Sequence, residues 1–392
     1  MISISRLLCD NIGPGDSLRY RPHASGRSLS PKDSVLPIVV WNCTRHCNLS
    51  CIHCYANAGN GAHPDAIGTD KAKVFIRGLA DFGVPVLLFS GGEPLARRDV
   101  LDLASYAREL GLRIVLSTNG TLITEAVADR IREIGFAEVG ISLDGIGDKN
   151  DLFRGQKGAF EAALQGIRNC LARGQRVSLR LTVTRHNHLE IPAIFRLAEE
   201  EGIHRLCFYH LAYSGRADNL RKKDLDHQQT RDLLDVIVDH TLDLHRRGLP
   251  KEVLTVASHT DGVYLYLKLK EQDPERADKV YRLLAGNGGN NSGIRIASVD
   301  DLGNVHPDQF WWERTVGNVL ERPFGDIWLD SPHPLLRELR GRKGLLKGRC
   351  ARCRYLDICN GNLRARAEAV FGDTWAEDPA CYLTDEEIGV AQ

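Results

Sequence analysis

Cys47, Cys51 and Cys54 lie together in the stretch TRHCNLSCIHCYA. A thiolate is a nucleophile and a soft metal ligand. Three thiolates in one short loop can bind three irons of a 4Fe–4S cube and leave the fourth iron without a protein ligand. Catalytic metal sites keep such an open position for substrate. Zinc is the alternative, and would draw a fourth ligand from Cys43, His46 or His53. A second group, Cys350, Cys353, Cys359 and Cys381, offers four thiolates, enough for a 4Fe–4S cluster or a zinc ion. Cys9, Cys43, Cys170 and Cys207 read as inert core or spare thiols.

Three polar turns follow the first group. In Ser90-Gly91-Gly92-Glu93-Pro94 the glycines let a ligand approach the backbone, whose carbonyls suit an ammonium group, and Glu93 adds negative charge. Ser117-Thr118-Asn119-Gly120 and Ser142-Leu143-Asp144-Gly145 carry short polar side chains that suit a ribose. Each turn alone reads equally well as an ordinary strand–helix connection.

Their place in the pattern distinguishes them. Apolar runs at 36–41, 85–90, 113–118, 137–144, 176–183 and 205–211 alternate with amphipathic segments near 70–83, 98–111, 124–135, 159–174 and 191–202. This alternation predicts βα units and a parallel sheet. The strands are too few for a closed eight-fold barrel, so the fold class is α/β with a partial (β/α)6 TIM-type barrel. All three turns then fall at the C-terminal ends of strands, where barrel active sites form. Residues 1–35 read as a loosely structured leader, 36–215 as the barrel, and 216–290 as a helical connecting region with a helix over about 260–285. Residues 291–392 read as a C-terminal cysteine-bearing domain. It opens with a β-hairpin around Asp300–Asn304, and the Gly/Asn-rich stretch 286–293 before it reads as a linker.

Lys plus Arg and Asp plus Glu both number 51, so the net charge is zero and a basic nucleic-acid surface is not expected. No apolar run approaches the ~18 residues of a membrane span. The first residues lack the basic start and apolar core of a secretion signal. The expected location is the cytoplasm, where clustered cysteines indicate metal or redox chemistry rather than disulfides.

The cysteine triplet followed by Tyr55, together with the Gly-Gly-Glu-Pro turn, resembles the radical S-adenosylmethionine (SAM) superfamily. The resemblance implies that the open iron binds the amino and carboxylate groups of SAM. It further implies that Gly91, Gly92, Glu93 and Pro94 grip the cofactor, that Ser117, Asn119, Ser142 and Asp144 face its ribose, and that Arg180 to Val183 face its adenine. Cys350, Cys353, Cys359 and Cys381, preceded by VGNVLERPFGDIW, resemble the auxiliary-cluster (SPASM/Twitch) domain of the same superfamily. The fuller form of that domain holds two clusters. Here Asp308 and Leu363 stand where further cysteines belong, so a single auxiliary 4Fe–4S cluster is expected.

From about residue 36 to residue 388 the chain resembles one family more closely, the NirJ enzymes of haem d1 biosynthesis. The stretches that carry the resemblance include HTDGV, GGNNSG, GNVHPDQFWW and CARCRYLDICNGNLRARAEAVFGDTWAEDPACYL. The resemblance implies an iron tetrapyrrole substrate, 12,18-didecarboxysiroheme. Two propionate side chains are removed from it by a 5′-deoxyadenosyl radical, with an electron donor such as a ferredoxin or flavodoxin. For the tetrapyrrole the candidate cations are Arg180, Arg216, His210, Arg295 and His306, and the candidate walls are Tyr213, Trp311 and Trp312, with His306 or Tyr213 as an iron ligand. The competing readings are a related tetrapyrrole decarboxylase, a peptide-modifying radical SAM enzyme, and a non-catalytic iron–sulfur or zinc scaffold.

Overall fold

A computed structural model describes residues 1–20, 36–329 and 333–390. Its strands are β1 (Ile2–Ser3), β2 (Ile38–Asn42), β3 (Leu87–Ser90), β4 (Ile114–Thr118), β5 (Glu138–Ser142), β6 (Val177–Thr182), β7 (Arg205–Tyr209), β8 (Glu252–Val256), β9 (Ile296–Val299), β10 (Asn304–His306) and β11 (Gly317–Asn318). They form one 11-stranded sheet in the order β1-β8-β7-β6-β5-β4-β3-β2-β9-β10-β11. From β2 to β8 every neighbouring pair is parallel.

The expected βα alternation is present. Helices Thr69–Phe82, Val100–Glu109, Glu125–Ile134, Ala159–Ala172 and Ile191–Glu200 connect successive strands. Their limits follow local chemistry. The Thr124 side chain accepts from the Val127 amide at the start of Glu125–Ile134, and Gly135 ends that helix in the left-handed region. The same helix buries Ala128, Ile131 and Ile134, one stripe at helical spacing. The strand residues Val39, Trp41, Leu87, Phe89, Leu116 and Val139 are fully buried, as a sheet covered by helices requires.

The structure departs from the sequence reading in four places. The region 216–290 is not only helical, because β8 lies within it and extends the sheet beyond β7. Every residue of that strand is buried, Glu252 included, because Arg176 and Arg205 neutralise the carboxylate. The expected helix over 260–285 is two helices, Thr260–Gln272 and Pro274–Asn287, since Pro274 cannot continue a helix and restricts the residue before it.

Residues 1–20 are not loose either. β1 pairs with β8, and Ile2, Ile4 and Leu7 are fully buried. The remainder of the expected leader, 21–35, lies outside the described residues. The hairpin forms around Asp300 as predicted, with Asp300 Oδ1 accepting from the Leu302 and Asn304 amides at 3.0 and 2.8 Å. Its first strand, β9, pairs in parallel with β2, so the hairpin continues the main sheet.

The C-terminal cysteine segment is fastened to the carboxyl ends of the strands. Arg366, fully buried, donates to the carbonyls of Leu211 at 2.7 Å and Ala257 at 2.9 Å, just beyond β7 and β8. Its charge is met by Asp378 at 2.8 Å. The stretch 286–293 is a fitted joint rather than a linker. A Cβ on Gly289 would stand 2.3 Å from the Cys359 backbone, and the Asn290 amide donates to the Cys359 carbonyl at 3.0 Å. Among the described residues no helix is long and apolar enough to cross a membrane.

Candidate active site

The loop after β2 carries Cys47, Cys51 and Cys54, and its path is set by donors from distant parts of the chain. The Cys47 amide donates to the Gly59 carbonyl at 2.8 Å. Arg216 spends its amide on the Cys54 carbonyl, its Nε on the Cys51 carbonyl at 2.8 Å and its Nη1 on the Ala58 carbonyl at 2.7 Å. The Gly-Gly-Glu-Pro turn lies directly against this loop. A Cβ on Gly91 would stand 2.4 Å from the Thr44 carbonyl oxygen, and one on Gly92 would stand 2.3 Å from that of His46. The two glycines therefore serve first to let the turn meet the cysteine loop.

The three thiols line one cavity of about 440 Å³ together with Gly91, Gly92, Ser117, Asn119, Ser142 and Arg180. Glu93, Pro94 and Asp144 do not line it. Glu93 is fully buried and saturated. One of its oxygens accepts from Thr118 Oγ1 at 2.7 Å and the Leu95 amide at 3.0 Å, and the other from the Asn119 amide at 2.7 Å. It ties two of the turns together. Asp144 is fully buried against Arg154 at 2.5 Å and His53 at 3.1 Å, and it also accepts from the Thr182 amide at 2.8 Å. Burial alone would raise the Asp144 carboxyl, but Arg154 and His53 outweigh it and hold the group below the ordinary range.

Donors point at the sulfurs. The Leu49 amide is 3.4 Å from Cys47 Sγ, Asn119 Nδ2 is 3.9 Å from the same atom, and Arg154 Nη1 is 3.7 Å from Cys51 Sγ. Burial pushes the Cys47 thiol up to about 11 and raises Cys51 despite Arg154. Such thiols ionise when a cation binds them, so both the donors and the burial suit an iron–sulfur cluster at this loop. Cys43 is fully buried beside the core with its thiol pushed up to about 12, first by burial.

In the second group, burial and the neighbouring thiols Cys381, Cys350 and Cys353 together drive Cys359 well above its ordinary value, so the four sulfurs share one locality. The Tyr355 amide donates to Cys353 Sγ at 3.4 Å. Among the described residues no three His, Cys, Asp or Glu side chains converge on a point suited to one metal ion. A cube, unlike zinc, takes each thiolate on a different iron, so its ligands stand further apart.

Of the residues expected at a tetrapyrrole, Arg180, His210, Arg295 and Arg216 line the cavity. Arg180 crosses β5 over Gly140, where a Cβ would stand 2.1 Å from its Nε, and donates to Ser117 Oγ at 2.7 Å. His306, Tyr213, Trp311 and Trp312 do not line it. His306 Nδ1 lies 3.1 Å from the Arg314 carbonyl, Tyr213 donates to Asp224 at 2.8 Å, Trp311 to Glu368, and Trp312 to the Gln309 carbonyl at 3.0 Å. Tyr213, Trp311 and Trp312 thus spend their donors in the surrounding structure, and His306 Nε2 turns to Asp300 at 3.4 Å; lying off the cavity corrects both their assignment to the tetrapyrrole and the iron-ligand idea for His306 and Tyr213. The aromatic lining is Tyr55, Tyr209 and Phe310, with Tyr55 and Phe310 edge to face at 5.5 Å. Asn290, Ser292 and Asp308 also line the cavity. Sequence reasoning missed Arg154, Phe310 and Asn290. Asp308 drew notice only as a missing cysteine.

The sequence pattern of the radical SAM superfamily matches residues 41–198, which span the cysteine loop and all three turns. The Fe-coproporphyrin III synthase of Methanosarcina barkeri is 52% identical over 400 residues, covering 99% of each chain. The chain belongs to the radical SAM superfamily. It is an enzyme, and membership implies SAM and a 4Fe–4S cluster. This radical SAM enzyme is also 44% identical to the pre-heme d1 synthase of Dinoroseobacter shibae, over 91% of this chain and 88% of that one. Streptococcus suis SuiB bound to S-adenosylmethionine shares its fold, with a TM-score of 0.67 over 89% of this chain and 78% of that chain at 19% identity.

Proposed function

We propose that this radical SAM enzyme removes carboxylate-bearing side chains from an iron tetrapyrrole. The observation that carries the reading is the 52% identity to an Fe-coproporphyrin III synthase along 99% of both chains. An iron coproporphyrin keeps its propionates, so starting from 12,18-didecarboxysiroheme this reading requires loss of the acetate arms. A second reading, loss of two propionates, is favoured by the 44% identity to a pre-heme d1 synthase. The cavity supports either. It joins the three thiols to the guanidinium groups of Arg180 and Arg295, the imidazole of His210 and the rings of Tyr55, Tyr209 and Phe310, the lining a flat polycarboxylate needs.

In this reading Cys47, Cys51 and Cys54 hold the SAM-binding cluster. With SAM bound there, reductive cleavage supplies a 5′-deoxyadenosyl radical that takes a hydrogen atom from a substrate side chain. The chain's own residues position and shield. Gly91 and Gly92 present backbone to the cofactor's ammonium end, Ser117, Asn119 and Ser142 present polar groups to its ribose, and Arg180 flanks its adenine. Glu93 and Asp144 act from behind the wall, through Asn119 and through Arg154. Cys350, Cys353, Cys359 and Cys381 hold an auxiliary 4Fe–4S cluster, and a ferredoxin or flavodoxin in the cytoplasm supplies electrons.

The test is anaerobic turnover of cluster-loaded protein with SAM, dithionite and 12,18-didecarboxysiroheme, following 5′-deoxyadenosine and tetrapyrrole mass together. Mass loss corresponding to acetate supports the first reading, and to propionate the second. SAM cleavage with the tetrapyrrole unchanged would overturn both.

A further inference from the structure

The cations of the cavity wall are not equivalent. Arg216 is spent on the carbonyls of the cysteine loop, Arg154 on Asp144 and Cys51, and Arg180 on Ser117. Arg205 is spent on Glu138 and Glu252, and Arg19 on Asp16 and Glu252. His210 is arranged differently. It follows β7 directly, where its amide donates to the Val256 carbonyl at 3.0 Å, and its ring lines the cavity. Nε2 is 2.9 Å from Asp261 Oδ2. Nδ1 has no hydrogen-bond partner among the described residues, and the side chain keeps 16% of its surface exposed.

Asp261 behind it is completely buried and held on both oxygens, since Tyr382 donates to Oδ1 at 2.9 Å. Burial would raise this carboxyl, but His210 and the hydroxyls of Thr255 and Tyr382 outweigh it, so it stands as a carboxylate. An imidazole whose rear nitrogen is fixed on a buried carboxylate has a set orientation.

We propose that His210, oriented by Asp261, is the anchor for one carboxylate side chain of the substrate, donating from Nδ1 across the cavity while Nε2 remains on Asp261. The inference rests on the tetrapyrrole reading and deepens it. His210 touches the substrate, and Asp261 is a positioning residue that acts through it.

The experiment uses the full, cluster-loaded chain and two probes, Fe-coproporphyrin III and its tetramethyl ester, with binding followed by the shift of the Soret band. His210→Gln keeps a donor for Asp261 and removes the imidazole. The expected result is a loss of affinity for the free acid of about tenfold to hundredfold, the usual worth of a charge-assisted hydrogen bond, with ester binding unchanged. Unchanged ester binding also shows that the variant is folded. Asp261→Asn should weaken the acid in the same direction and by less. An equal loss for acid and ester, or no loss for either, overturns the anchor while the tetrapyrrole reading stands. Wild-type protein that binds neither probe overturns both.

Discussion

Arg154→Gln tests the support of the cysteine loop. Arg154 keeps 8% of its side-chain surface and Asp144 none, at 2.5 Å, so the substitution leaves a buried carboxylate faced by His53 at 3.1 Å and the Thr182 amide at 2.8 Å, with no guanidinium. Removing one partner of a buried pair costs ~3–5 kcal/mol. His53 retains part of the compensation, which places the expected loss near 3 kcal/mol, on the order of a hundredfold in the folding equilibrium. The contrast is Arg173→Gln, whose partner Asp129 is 56% exposed, so that solvent replaces the lost pair at little cost.

The assay is guanidinium unfolding of cluster-free, reduced full-length protein by circular dichroism, with Arg154→Gln/Asp144→Asn closing the cycle. The double variant should recover much of the loss, because no unpaired charge stays buried. Arg154 also faces Cys51 Sγ at 3.7 Å, so iron uptake at the first site should slow in the single variant. A midpoint for Arg154→Gln equal to that of Arg173→Gln, with unchanged slope, would refute the reasoning.

Four further outcomes follow. Gly92→Ala should abolish iron loading at the first site and spare the second, read as iron per chain and by electron paramagnetic resonance, since a Cβ there meets a backbone carbonyl at 2.3 Å that cannot swing aside. Gly140→Ala should push Arg180 off Ser117, raising the SAM concentration needed for half-maximal cleavage several-fold without changing iron content. Cys381→Ser should alter the second site's spectrum while the first still loads, because its thiol lies among Cys350, Cys353 and Cys359. The stability that Asp144 contributes should vanish in acid. Its folded carboxyl lies below the ordinary unfolded value of about 3.9, so the contribution is full above that pH and lost as pH falls through the folded value. The difference between wild type and Asp144→Asn should therefore shrink below about pH 4.

The helices and the strands β2 to β7 were legible because hydrophobic periodicity is a local signal, and the cysteine groups because ligand spacing within one loop is local too. β8 was not, since a short strand with a charged residue at its start is stabilised by β1 and β7 and by Arg19, Arg176 and Arg205, all from elements distant along the chain. The turns after β3, β4 and β5 were recognisable as site material, yet composition could not divide them. Ser117, Asn119 and Ser142 reach the cavity, whereas Glu93 and Asp144, equally polar, are consumed behind it.

The same division holds for the cations and rings. Arg216 looks as free in the sequence as His210, but its partner is the carbonyl of Cys51, 165 residues away, and the partner of His210 is Asp261, 51 residues on. Trp311 and Trp312 are apolar enough for a wall, and the packing chose Tyr55, Tyr209 and Phe310. The sequence by itself determined the fold class and set out the two cysteine groups, because those depend on neighbours along the chain. The tertiary structure decided which charges remain available to a ligand, because a buried polar group must find its partner wherever the fold brings one.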